Sequence, residues 1–156
     1  MRLTKKAEYA TRTMLELAKH YGGRPVMAKD IAVRQDIPQK FLTQVIVELK
    51  GAGLVGTIRG TGGGTFLSVA PHRVNLRQIV EVFEGPIALN ECLHSKNDCS
   101  HAGACPMYDV WRLAQAKMLS VLESTTLADL ISKQDGAAVD HTTSAPRISN
   151  EIEVEV

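Results

Sequence analysis

Residues 38–69 read P-Q-K-F-L-T-Q-V-I-V-E-L-K-G-A-G-L-V-G-T-I-R-G-T-G-G-G-T-F-L-S-V, and their reading decides the fold. Leu42, Val45, Ile46 and Leu49 recur at helical spacing and predict a helix from Pro38 to about Lys50, with Pro38 suited to its first position and Gly51 and Gly53 to its stop. Leu54–Ile58 and Thr65–Val69 are β-branched and aliphatic and predict two strands. The R-G-T-G-G-G between them predicts a hairpin whose glycine-rich tip takes positive φ and approaches another backbone closely. A nucleotide-binding glycine loop would instead open a helix and carry Lys-Ser/Thr. Just upstream, 28–35 predicts a shorter helix with Ile31 and Ala32 inward, and Asp36-Ile37 a turn. Helix, turn, helix and an arginine-bearing hairpin make a winged helix-turn-helix. The expected class is therefore mainly α with a small β-hairpin wing.

Working outward toward the N-terminus, residues 3–21 predict a helix with Ala7, Ala10, Met14, Leu17, Ala18 and Tyr21 on one face, and Glu16 among the charged residues elsewhere on the wheel. Gly22-Gly23 ends it, and Pro25-Val26-Met27 predicts a short strand. The formal net charge of +1 hides an asymmetry. Residues 1–73 hold twelve Lys/Arg against five Asp/Glu (+7), residues 74–133 five against seven (−2), and residues 134–156 one against five (−4). The polyanion-binding part is expected in the first of these three regions. Downstream, Pro71-His72-Arg73 is a connector, and Asn75 with Gln78 forms a capping-box signature before a helix over 76–84 that Gly85-Pro86 ends.

Residues 91–111, E-C-L-H-S-K-N-D-C-S-H-A-G-A-C-P-M-Y-D-V-W, hold all three cysteines, Cys92, Cys99 and Cys105, together with His94 and His101. The intervening Ser, Lys, Asn, Asp, Ala and Gly cannot build a core, which points to a loop holding an inorganic centre. Pro106 predicts that Cys105 caps the next helix, where the dipole favours a thiolate. A disulfide would leave one thiol over, and the charged start MRLTKKAEYATRT is no secretory signal. Structural zinc on the three cysteines and a histidine is a competing reading. The C-x6-C-x5-C spacing is wider than the usual zinc knuckle and fits better around an iron–sulfur cluster.

From Pro106 to about Glu123, Met107, Trp111, Ala114, Met118 and Val121 recur at alternating four- and three-residue steps, the seam of a helix pair. Val110, Leu113 and Leu122 widen that stripe beyond the needs of one small domain, so a long dimerisation helix is expected. A short helix starts at Thr126. The polar, acidic tail 134–156 is expected to lack fixed structure, although its closing E-I-E-V-E-V alternates like a strand. No apolar run is long enough to cross a membrane. An electron carrier or thiol oxidoreductase would need close thiol pairs, and no acid/base or triad constellation marks an enzyme.

The opening M-R-L-T-K, the segment 37–49, the G-L-V-x-x-x-R-G-x-G-G-G wing and the three-cysteine loop together resemble the Rrf-two family of bacterial dimeric winged-helix transcription regulators, over roughly residues 1–133. That family includes IscR, NsrR and RirA. The resemblance implies a cytoplasmic homodimer, most often a repressor, whose binding to a double-stranded DNA operator is set by a [2Fe-2S] or [4Fe-4S] cluster sensing redox state, nitric oxide or iron supply. Lys40, Thr43, Gln44 and Val47 would face bases and backbone, Lys5, Lys6 and Lys50 would neutralise phosphates, and Arg59 with Gly60 and Gly62 would enter the flanking minor groove. IscR-like members carry a histidine where this chain has Tyr108, and often a glutamate where it has Thr43. Glu8 matches the acidic residue that NsrR-like members supply from the partner subunit. Glu8, with His94 and His101 as rivals, is therefore the candidate fourth ligand beside Cys92, Cys99 and Cys105. The implied division is 1–73 for DNA binding, 74–133 for the cluster loop and dimerisation helices, and 134–156 for the acidic tail.

Overall fold

The structure, a computed structural model, describes residues 3–94 and 105–137. Cys99, His101 and the tail beyond Ala137 lie outside the described residues. Thr4 caps the first helix, its hydroxyl accepting from the Ala7 amide at 3.3 Å, so α1 runs Lys5–Lys19. The expected apolar face is buried at Ala7, Ala10, Met14, Leu17 and Ala18, but Tyr21 lies past the helix end and is half exposed. α1 is the central element, packed against α2 (Ala28–Gln35), α3 (Gln39–Gly51) and two of the helices that follow the wing.

Between α2 and α3, Asp36 takes the left-handed conformation (φ 51°, ψ 51°), and the Ile37 amide returns to the Ala32 carbonyl at 2.9 Å. That bond closes the end of α2 and turns the chain into α3. Pro38 is the cap of α3 rather than its first helical residue. Leu42, Val45, Ile46 and Leu49 are all buried, as their spacing requires. Each fully buried side chain of this kind stabilises the fold by about 1.5–3 kcal/mol.

The wing is a two-stranded antiparallel sheet, β1 (Val55–Ile58) and β2 (Gly64–Leu67), in the register Val55↔Leu67 through Ile58↔Gly64. Val26 adds a single bridge to Thr65, so Pro25-Val26-Met27 contributes one pairing instead of a strand. At the tip, Gly60 (φ 94°) and Gly62 (φ 79°) are left-handed, which other residues adopt at a cost. A side chain at Gly63 would collide with the Ile58 carbonyl, so the hairpin closes only around glycine there.

A 3-10 turn at Pro71–Arg73 leads to α4 (Leu76–Glu84). Its capping box is formed as its sequence predicts: the Gln78 amide donates to Asn75 Oδ1 at 2.9 Å, and the Asn75 amide to Gln78 Oε1 at 3.0 Å. The segment entering the cysteine loop forms a one-turn helix, α5 (Glu91–His94). α6 (Tyr108–Ser124) and α7 (Leu127–Ala137) complete the described chain. Cys105 does not cap α6, because Met107 occupies that position. The Cys105 carbonyl instead accepts from the Tyr108 amide at 3.2 Å in the preceding turn. Arg77 on α4 holds α6 through Glu123 at 2.9 Å, and α7 returns to α1, burying Leu127.

Candidate nucleic-acid interface and cysteine pocket

Lys40, Thr43, Gln44 and Val47 lie on the exposed face of α3, opposite its buried stripe. Thr43 turns its hydroxyl back to the Gln39 carbonyl at 3.0 Å. Lys50, at the end of α3, donates to Thr57 Oγ1 on β1 at 3.0 Å and so ties the helix to the wing. Arg59, Gly60 and Gly62 are exposed at the wing tip, and Arg59 has no ion-pair partner among the described residues.

The two lysines at the start of α1 are already engaged. Lys6 pairs with Glu48 of α3 at 2.8 Å, and Lys5 pairs with Glu8 at 2.8 Å. Exposed pairs of this kind contribute about 0–1 kcal/mol, weak enough for a phosphate to displace the carboxylate. Glu8 also meets Arg12 at 2.7 Å. The Lys5 hydrogen bond, reinforced by both cations, outweighs partial desolvation and holds the Glu8 carboxyl below its ordinary range. Its carboxylate is thus kept ionised, but it does not line the cysteine pocket of its own protomer.

That pocket, of about 790 Å³, is lined by Glu84 at the end of α4, Glu91, Cys92 and His94 on α5, Cys105, and Trp111 on α6. Cys92 and Cys105 are both free thiols, partly buried, and His94 is exposed. Among the described residues no group of three ligating side chains is gathered closely enough to hold a metal ion. The two thiols and His94 at one opening nonetheless supply soft donors of the kind that iron–sulfur clusters take, in a space wider than a single ion needs.

Two features had no signal in the sequence. Glu84 Oε1 accepts from both the Thr4 amide (2.8 Å) and the Thr4 hydroxyl (2.7 Å), eighty residues away. One carboxylate thus borders the cysteine pocket and grips the residue that caps α1. The second feature is Glu16, whose side chain is 5% exposed and meets Arg34 at 2.9 Å and Gln35 at 2.8 Å. Burial alone would raise its carboxyl, but Arg34, Gln35, Lys19 and His20 hold it below its ordinary value. Helical spacing had put Glu16 on the solvent side. Its partners on α2 cover it, and it clamps α1 to the helix-turn-helix.

α6 differs from every earlier long helix: no residue of it is buried within one chain. Val110, Leu113 and Val121 are exposed by more than half, and Trp111 by 39%. No helix among the described residues is long and apolar enough to cross a membrane.

Residues 3–133 match the family model Rrf2 (Rrf-two), described as an iron-dependent transcriptional regulator. The HTH-type transcriptional regulator IscR of Vibrio parahaemolyticus is 32% identical over 162 residues, spanning 94% of this chain and 96% of that protein. Among solved structures, IscR of T. potens superposes with a TM-score of 0.70 at 30% identity, covering 93% of this chain and 94% of that one. CymR, the global cysteine regulator of B. subtilis, superposes with a TM-score of 0.69 at 33% identity, covering 85% and 98%. Such relatives are transcriptional regulators and not enzymes.

Proposed function

The chain belongs to the Rrf2 family of transcriptional regulators, and on that premise we propose that it is a homodimeric repressor whose operator binding is controlled by an iron–sulfur cluster. The observation that carries the cluster reading is the pairing of Cys92 and Cys105, both free, at one pocket whose wall also includes Glu84. Family membership alone is not enough, because the relatives differ in what they serve: one is a global cysteine regulator and others are IscR.

Cys92, Cys99 and Cys105 are the proposed thiolate ligands, which leaves one position for Glu8 of the partner subunit or, as rivals, His94 or His101. A cluster held there would supply a redox-active, nitric-oxide-reactive iron centre. A carboxylate is a harder and weaker ligand for such iron than a thiolate, which suits a site that must respond to a signal. Both carboxylate oxygens of Glu8 are paired within its own chain, to Lys5 and Arg12, so ligation would have to displace at least one of these exposed pairs.

The chain's own residues provide the route to DNA. The proposed route runs from the cysteine pocket, whose lining includes Glu84, to the cap of α1, which Glu84 holds through Thr4. Two residues beyond Thr4, Lys6 is paired to Glu48 on the reading helix. Residues 1–73 form the proposed reading head, in which Lys40, Thr43, Gln44 and Val47 face the major groove. Lys5, Lys6 and Lys50 neutralise phosphates. Arg59, carried by Gly60 and Gly62, enters the flanking minor groove, where it reads shape more than sequence. Residues 74–133 hold the cluster loop and the pairing helix α6, whose apolar face is open in the single chain. Pairing through α6 would set two reading heads at a fixed half-site spacing.

The DNA-binding assignment is tested by anisotropy titrations of duplex DNA at several salt concentrations. Arg59→Ala should weaken binding and flatten the log–log salt dependence by about one unit. Unchanged affinity and slope would remove the wing from the interface.

A further inference from the structure

Between the exposed face of α3 and the wing lies a shallow cleft of about 270 Å³ whose rim includes Ala28, Thr43, Val47, Thr57, Ile58 and Gly64. Val47 is 65% exposed and Ile58 53%, so two aliphatic side chains stand uncovered in the middle of the proposed reading surface. Thr43 and Thr57 also line it, and both hydroxyls already have local partners: Thr43 donates to the Gln39 carbonyl and Thr57 accepts from Lys50. The cleft lies beside Lys40, Lys50 and Arg59, in a region of the chain with net charge +7 from twelve basic and five acidic residues.

Aliphatic groups placed there cannot hydrogen-bond base edges. The apolar group that unmodified DNA presents in the major groove is the C5-methyl of thymine. Resting on the DNA-binding reading above, we infer that the α3 side of this cleft is a specificity site that seats a thymine methyl, with Val47 as its principal contact. The site discriminates thymine from cytosine by contact with the methyl group alone, while Lys50 fixes the distance between the two walls. Val47→Ala would widen the cleft by two methyl groups without touching a charge, so it should alter sequence preference and leave the salt dependence as it is.

The test uses the full-length protein and the tightest duplex it selects from a randomised pool. Each thymine of that duplex is replaced in turn by deoxyuridine, which removes only the methyl. The wild-type protein should lose about fourfold in affinity at one thymine in each half-site, the worth of one buried methyl group. In Val47→Ala the same replacement should change affinity by less than twofold. If no deoxyuridine position matters to the wild type, or if the sensitive position is equally sensitive in Val47→Ala, the cleft does not read a methyl group. Failure to select any duplex would overturn the DNA-binding reading, and this inference with it.

Discussion

α3 and α6 are both amphipathic, yet their surroundings differ. α3, of thirteen residues, buries Leu42, Val45, Ile46 and Leu49 within its own chain, while α6, of seventeen, buries none. The surroundings of α3 are closed: Lys50 ties it to Thr57 of the wing, and its buried stripe joins a core that includes Val55 and Leu67 of the wing and Ile79 and Leu127 of the later helices. α6 is anchored at a few polar points, such as Arg77 to Glu123 and the Leu89 amide to Gln115. Its apolar face, with Val110, Leu113 and Val121 exposed among the described residues, is the surface that the proposed dimer would cover.

Substitutions on the two helices should separate accordingly. The largest effect is expected at Leu49, which is fully buried under α1 and the wing. Leu49→Ala should cost about 2–5 kcal/mol of folding stability, read from urea denaturation, because the cavity adds to the lost transfer energy. A cost below about 1 kcal/mol would mean that the head is not packed as described.

Val121→Asp should act on assembly and not on the fold, since this side chain is 62% exposed in the single chain. Sedimentation should show a monomer at concentrations where the unsubstituted protein sediments as the proposed dimer, because each copy would bring an unpaired carboxylate into the apolar interface. A dimer undiminished by the substitution would place the interface elsewhere.

The smallest expected energetic effect, about 0.5–1.5 kcal/mol of folding stability, belongs to Glu84→Ala, which removes two exposed hydrogen bonds to Thr4. Its informative effect is on coupling. DNA affinities measured with the cluster present and after its removal should draw together in this variant, and an undiminished difference between them would exclude the Glu84–Thr4 route.

The contrast between the helices also explains what could be read from the sequence. Leu42, Val45, Ile46 and Leu49, the capping box at Asn75 and the turn glycines of the wing are local patterns, and each is found where its spacing or turn chemistry places it. Periodicity likewise found the apolar face of α6, but periodicity does not say what covers a face. Long-range contacts left no mark: nothing near Thr4 announces Glu84, and nothing near Glu16 announces Arg34 and Gln35. Glu16 looked like a surface charge because its covering partners come from another helix. The cysteine segment gave an expectation about chemistry and little about structure. Its thiols and histidines named a ligand set, while the expected cap at Cys105 gave way to Met107, two residues into the turn.

The central claim is that the cysteine pocket holds an iron–sulfur cluster whose state sets DNA affinity. The most direct measurement is the visible absorption spectrum of anaerobically purified protein, followed through cluster removal together with its affinity for a selected duplex. The account predicts sulfide-to-iron charge-transfer bands that disappear when Cys92, Cys99 or Cys105 is replaced by serine, and an affinity that changes by at least tenfold as the bands are lost. A colourless protein that contains zinc or no metal, and binds the duplex equally well before and after chelation, would contradict it.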